Sequence, residues 1–368
     1  MNRIRVLHVF GAMDFGGAEI RTIELLPAML AEGVEFHFVT LSGRRGELAE
    51  RIERAGGYVW PLRLTPAFPI RFLRLARRLK LNAIDSHVAT FSGALVALAW
   101  LARIPVRIAH FRSDDDGRGA SWSRRLQRKV MKLLIRLFST DIVGVSPSAL
   151  THGYDPLWER DPRAKVIVNG FASYQAIEQP PSGLDLGPHV KLLTLVARPS
   201  PEKNRIKAID ILHELLACGE PVKLVLVGGR GADSDAVEDR IVTYGIEEAV
   251  IDLGKRADAV QVMAASDVVL LTSHREGLPG VVLEAVSTGA EVVSVDLPGV
   301  KFMTERVDGI TLVDADAPAE MWVAPICAAL ARSKDAERRA AQVRSFEGSP
   351  FSLSSSIYAH RRLYRVAR

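Results

Sequence analysis

The sequence predicts an α/β protein built from two parallel-sheet domains. Three observations carry this expectation. Short apolar runs alternate with helical patterns along the whole chain, which is the pattern of repeated βαβ units. At 368 residues the chain is long enough for two separate cores. A Pro/Gly-rich stretch, 179–188, lies between two halves that look alike in kind. The expected domains are therefore 1–178 and 189–348.

Taken in order, the expected strands of the first half are 4–9, 35–40, 83–87, 106–110, 142–145 and 166–168. Those of the second half are 191–197, 223–227, 250–253, 267–271 and 291–295. They are near-continuous apolar runs, as strands covered on both faces require. Near the end of the chain, Ser352 is placed to cap a last helix over 354–366, with Ile357, Leu363 and Tyr364 available for packing. The longest apolar stretch, 93–102, is too short to span a bilayer. Met1-Asn-Arg-Ile leads straight into a strand, so no signal peptide is expected. Two cysteines, Cys218 and Cys327, suit neither a metal site nor a disulfide framework and suggest a reducing cytosol.

The net charge of +5 conceals an asymmetry. Residues 1–172 hold 26 Lys+Arg against 16 Asp+Glu, a net of +10; the remainder holds 22 against 27, a net of −5. Much of the positive charge falls on 122–138. On a helical wheel, Arg124, Arg125, Arg128, Lys129, Lys132 and Arg136 share one arc, interrupted by Ile135. Trp122, Leu126, Val130, Leu133, Leu134 and Leu137 lie opposite. That apolar side is expected to face the core, as in an ordinary amphipathic helix. Six cations without an anion are also what an acidic membrane surface attracts. Arg71, Arg74, Arg77, Arg78 and Lys80 add to the charge of the same half. Nucleic acid is not expected, since no nucleic-acid motif or aromatic platform accompanies the charge.

The most informative stretch is Ser273-His-Arg-Glu-Gly-Leu-Pro-Gly-Val-Val-Leu-Glu-Ala. Gly277, Pro279 and Gly280 keep Glu276 on a loop at a strand's carboxyl end, while Glu284 falls in the helix that follows. A strand, an acid-bearing loop and a helix N-terminus form a ligand crevice in an open α/β sheet. Amides and helix dipole suit an anion, and the two carboxylates suit neutral hydroxyls, so the ligand expected is a nucleotide-sugar. The eight-residue spacing of Glu276 and Glu284 resembles the E-x7-E signature of family 4 retaining glycosyltransferases, and especially those of bacterial polysaccharide biosynthesis. That resemblance implies the GT-B fold: two Rossmann-like parallel-sheet domains facing a central cleft. It also implies that the final helix, 352–368, crosses back onto the first domain.

Other elements follow in the family's order. Gly16-Gly-Ala-Glu19, after the first strand, resembles its Gly-Gly-x-Glu element; read alone it is equally a plain strand-to-helix turn. Arg198 and Lys203, after the first strand of the second half, resemble its Arg…Lys pair, with Asn204 fitting too; the plain alternative is two solvated cations. His110 ends a strand where the family keeps a functional His, although a lone histidine is more often structural. His87 is a weaker candidate of the same kind. Asp114-Asp-Asp116 invites a metal reading, but Arg112 and Arg118 flank it and GT-B enzymes do not need such a motif. Gly228-Gly-Arg-Gly231 and Gly254-Lys-Arg256 resemble the family's glycine turn and its base-binding region. Asn169-Gly170 reads as a turn.

The resemblance implies an enzyme that moves a sugar from a nucleotide-sugar to a hydroxyl with retention. In that reading Glu276 orients the donor sugar, Arg198 and Lys203 stabilise the departing diphosphate, and His110 contacts the sugar near its reacting face. Glu284 holds the ribose, while Gly16, Gly17 and the amides of Gly277 and Leu278 line the phosphates. No metal and no cofactor are expected; a UDP-sugar is favoured and a GDP-sugar comes next. The first domain is expected to bind the acceptor and the second the donor. The basic first half suggests a glycan or lipid-linked acceptor, in capsule, O-antigen lipopolysaccharide or exopolysaccharide assembly, and an anionic membrane partner. A cytoplasmic protein, peripheral on the inner face of the cell membrane, follows. The alternatives are a nucleotide-sugar epimerase of the same fold and an inactive nucleotide-sugar-binding protein.

Overall fold

The structure, a computed structural model, describes residues 3–112, 121–174, 181–184 and 190–365. It divides into two compact units. The first is Met1–Gly170 with Leu353–Arg368, and the second is Phe171–Ser352.

The first unit is built on a seven-stranded parallel sheet. Its strands are β1 (Ile4–Phe10), β2 (Val34–Thr40), β3 (Tyr58–Pro61), β4 (Ala83–Ser86), β5 (Val106–Phe111), β6 (Asp141–Gly144) and β7 (Ala164–Val166). Their order across the sheet is β3-β2-β1-β4-β5-β6-β7. Every residue of β2 is buried, as expected of a β-branched and aromatic run covered on both faces. The second unit has six parallel strands: β8 (Lys191–Val196), β9 (Val222–Val227), β10 (Val250–Asp252), β11 (Val268–Leu271), β12 (Glu291–Val295) and β13 (Ile310–Val313). Their order is β10-β9-β8-β11-β12-β13. In both sheets the winding reverses beside the first strand, at β1/β4 and at β8/β11. Loops leaving two such strands diverge to opposite faces, which opens a crevice at their carboxyl ends.

The last helix, Leu353–Leu363, belongs to the first unit. It returns there because Leu363 and Tyr364 complete the core around Val6, Phe10 and Phe36. Arg361 also pairs with Glu32 at 3.0 Å.

The helix Trp122–Phe138 corrects an expectation. Its apolar side does not face the core. Ile135, which interrupts the basic arc, is the one residue of this helix that is fully buried. Trp122, Leu126, Val130, Leu133 and Leu137 are all exposed. The reason is local packing. The helix rests on its neighbour, Ser92–Leu101, so closely that a Cβ at Gly93 would lie 2.2 Å from the Met131 carbonyl oxygen. Contact through Met131 and Ile135 turns the side around Trp122 outward. Helix Phe68–Leu79 is the ordinary case, with Phe68, Phe72 and Ala76 buried and Arg71, Arg74, Arg77 and Arg78 exposed. The Asp114-Asp-Asp116 triplet and Arg118 lie outside the described residues.

Candidate active site

The winding reversal of the second sheet joins two stretches that are far apart in sequence. The loop after β8 carries Arg198 and Lys203, and the loop after β11 carries Glu276. Lys203 Nζ donates to Glu276 Oε1 at 2.6 Å, and both side chains are more than four-fifths buried. Ser273 Oγ donates to the same oxygen at 2.9 Å. The loops are also joined through their backbones. The His274 amide donates to the Glu202 carbonyl at 2.9 Å, and Thr272 Oγ1 donates to the Asn204 carbonyl at 3.0 Å. Asn204 adopts the left-handed conformation, with φ of 49°. Asn tolerates that region better than most residues, so Asn204 ends the turn and opens the helix Arg205–Ala217.

Glu276 leads into the turn Gly277–Pro279 and the helix Gly280–Ser287. A Cβ at Gly299 would fall 1.6 Å from the Gly277 carbonyl oxygen, so only glycine lets the helix Pro298–Thr304 approach this turn. Gly277, Leu278 and Glu284 are half-buried, and Glu284 lies in the second turn of its helix. Arg198 is exposed on the same side of the sheet, at the end of β8. The second unit thus gathers a cation, an acid held by two donors, a half-buried Gly/Pro turn and a second acid on the following helix.

The remaining predicted residues belong to the first unit. Gly16 precedes the helix Gly17–Ala31 and supplies no side-chain cap. The Glu19 carboxylate folds back over this N-terminus, so close that a Cβ at Gly16 would sit 2.3 Å from Glu19 Oε2. Burial raises the Glu19 carboxyl, and its own backbone amide acts in the opposite sense. An anion at Gly16 and Gly17 would have to displace this carboxylate.

His110 sits at the end of β5 in a buried polar network. Its Nδ1 lies 3.1 Å from Asp85 Oδ1. Tyr364, at the end of the last helix, donates its hydroxyl to Asp85 Oδ2 at 2.9 Å. Arg112 donates to His87 Nδ1 at 3.1 Å, to Asn169 Oδ1 at 2.5 Å and to Thr22 Oγ1 at 2.9 Å. His87 Nε2 in turn lies 3.1 Å from His8 Nδ1.

This pattern assigns the protons. A carboxylate accepts, so His110 carries its proton on Nδ1 and presents Nε2 as an acceptor. Arg112 donates to His87 Nδ1, so His87 is protonated on Nε2. Burial is the main cause that lowers the imidazoles, His110 to about 4 and His8 to about 3. For Asp85, burial pushes upward, but His87 and His110 together pull its carboxyl well below the usual range. His110 Nε2 is buried and has no hydrogen-bond partner among the described residues.

His8, Asp85 and His87 also bring three potential metal-ligand atoms within 4.8 Å of one another. His8 Nδ1 meets His87 Nε2, the half-buried Arg112 donates to His87 Nδ1, and Asp85 meets His110 and Tyr364, which is the geometry of a hydrogen-bond network.

Comparison with known proteins shows the family. The family model described as "Glycosyltransferase Family 4" matches residues 15–171, and "Glycosyl transferases group 1" matches 190–332. The chain belongs to the family 4 glycosyltransferases. It is therefore a glycosyltransferase, retaining by family. This glycosyltransferase is 28% identical over 295 residues to the capsular polysaccharide biosynthesis glycosyltransferase CapH of Staphylococcus aureus, covering 79% of this chain and 81% of the relative. It is 27% identical over 346 residues to the putative glycosyltransferase EpsF of Bacillus subtilis, covering 90% and 88%. Among solved structures it resembles Anabaena HepE in complex with UDP and glucose, with a TM-score of 0.75 at 19% identity over 99% of this chain and 100% of that one. A Rickettsia africae glycosyltransferase gives a TM-score of 0.80 at 14% identity, over 99% and 98%. These structures share the GT-B fold.

Residue-by-residue reading missed several parts of the two sites. Asp85 was legible as a lone acid within an apolar strand. Ser273 and Gly299 carry no signal apart from the fold, and Arg112 looked like a loop cation.

Proposed function

We propose that this glycosyltransferase takes its sugar from a UDP-sugar and gives it to a hydroxyl of a lipid-linked or membrane-associated glycan in surface polysaccharide assembly. The single observation that carries the site is the Lys203–Glu276 pair at the β8/β11 reversal. Lys203 faces the diphosphate, with Arg198 on its exposed side. Two cations there neutralise the charge that develops as the sugar–phosphate bond breaks, and fixed electrostatics of this kind supply the largest share of most rate enhancements. When the diphosphate engages Lys203, Glu276 is released to accept hydrogen bonds from the sugar hydroxyls and to orient the anomeric carbon. Ser273 keeps the carboxylate in place during this exchange. Gly277 and Leu278 offer amides to the phosphates, and Glu284 accepts from the ribose. For Gly16, Gly17 and His110, on the first unit, a role at the donor rests on the family resemblance alone. No step uses a metal ion.

UDP is favoured over GDP because HepE, which shares the fold, is described in complex with UDP and glucose. A surface polysaccharide is favoured because CapH is named for capsular polysaccharide biosynthesis. The acceptor's lipid would hold the enzyme at the anionic inner face of the cell membrane, as a cytoplasmic, peripheral protein. A thermal-shift screen with UDP-, GDP- and ADP-sugars tests the donor. A ligand at about one hundred times its Kd stabilises by about 2.7 kcal/mol. A UDP-sugar is expected to raise Tm, less so in Glu284→Ala, with or without EDTA. A shift with GDP-sugars alone, or one abolished by EDTA, would overturn this reading.

A further inference from the structure

Helix Trp122–Phe138 presents an apolar stripe that no described residue covers. Trp122, Leu126, Val130, Leu133 and Leu137 are between 44 and 78% exposed. Their spacing of four, four, three and four residues aligns them along one side of the helix, over a length of about 22 Å. At the carboxyl end, Trp100 of the neighbouring helix is exposed as well, with its ring 5.1 Å from that of Phe138. On the wheel, Arg125 and Lys129 lie immediately beside the stripe and are exposed, as is Arg136, whose guanidinium also pairs with Asp155. The helix holds no acidic residue from end to end.

We propose that this helix lies in the plane of an anionic membrane, with its stripe inserted at the headgroup–acyl boundary and its flanking cations on the lipid phosphates. Charge complementarity selects this occupant. A second copy of the chain would bring two rows of Arg and Lys together with no acid on the helix to separate them. A bilayer interface satisfies both parts at once, since the acyl boundary accepts Leu and Val, the headgroups accept cations, and tryptophan favours the junction. No helix among the described residues is long and apolar enough to cross a membrane, which fits an in-plane helix. The stripe also separates this surface from helix Phe68–Leu79, whose cations face out but whose apolar side is buried. Adsorption by charge alone would be fully screened by salt, whereas an inserted stripe would not.

The proposal deepens the membrane-linked acceptor given above, but its test measures no sugar transfer, so either can fail alone. Flotation of the full-length protein would be compared with vesicles of phosphatidylcholine alone and of equimolar phosphatidylglycerol and phosphatidylcholine, at low and high salt. The wild type is expected to float with the anionic vesicles and to keep part of that binding at high salt. Leu126→Asp with Leu133→Asp should lower binding at both salt concentrations by at least about tenfold. Arg125→Gln with Lys129→Gln should weaken low-salt binding by about fivefold per cation, leaving the salt-resistant part. A melting temperature unchanged from the wild type, without ligand, would show that the variants are folded. Tryptophan emission should shift to the blue on vesicle addition, and Trp122→Phe should reduce that change.

The proposal is overturned if the wild type does not bind anionic vesicles at low salt. It is equally overturned if salt removes all binding while the leucine pair has no effect, or if sedimentation shows a dimer that the leucine pair dissociates.

Discussion

Lys203 and Glu276 are held by each other at 2.6 Å. Under the proposed function the pair works as a gate: a diphosphate would draw the cation away and so free the acid. The second network works by fixing a tautomer. Asp85 accepts from His110 Nδ1 on one oxygen and from Tyr364 on the other, so loss of either donor leaves a buried acceptor unmatched. Tyr364→Phe is expected to destabilise the protein by about 1–3 kcal/mol, and Asp85→Asn by at least as much. Chemical denaturation checks both. If His110 needs its Nδ1 proton held, Asp85→Asn should also lower kcat more than it changes KM for the donor. A Tyr364→Phe variant as stable as wild type would remove the last helix from the network.

At the scale of elements, β1, β4 and β5 bring His8, Asp85, His87 and His110 together at their carboxyl ends, and this gives the fold a pH dependence. Burial is the main cause that holds these imidazoles neutral, whereas in an unfolded chain they titrate near their ordinary value of about 6.5. Below that pH the unfolded chain binds protons that the folded protein refuses. Their contribution is therefore fully present above about 6.5 and is lost as pH falls toward about 4, with a slope of up to about 1.4 kcal/mol per pH unit for each histidine. Glu19 and Glu24, raised mainly by burial, act in the opposite sense near the acid end of that window. Denaturant midpoints measured across this range should fall on acidification, and a flat profile would contradict the buried-neutral assignment.

The strands that carry sites were legible at this scale because fully buried parallel strands read as unbroken apolar runs. The edge strands β3 and β13 were missed, since Tyr58–Pro61 and Ile310–Val313 are short and largely half-exposed. The orientation of Trp122–Phe138 was read the wrong way round. Periodicity gives the two sides of a helix but not which one meets the neighbour, and here the glycine at position 93 and a single isoleucine decided it.

Across the whole molecule, the two sheets repeat one plan. Each reverses its winding beside its first strand, and each has candidate residues clustered at the carboxyl ends of the strands flanking that reversal. Glu276, Glu284, Arg198 and Lys203 could be picked out because Gly/Pro loops after apolar runs mark such ends. Their mutual contact could not be, since it depends on strand order, which the sequence does not display. The same holds for Asp85 and Tyr364, separated by 279 residues and joined only when the last helix returns to the first unit.

The most direct measurement is the calorimetric affinity of UDP and of a UDP-sugar for the wild type, Lys203→Ala and Glu276→Gln. Lys203→Ala should weaken both ligands. Glu276→Gln should bind UDP as well as the wild type or better, because Lys203 no longer faces a charged partner, yet lose the extra affinity contributed by the sugar and lose transfer. If both variants bind UDP and UDP-sugar as the wild type does, the Lys203–Glu276 pair is not the donor site.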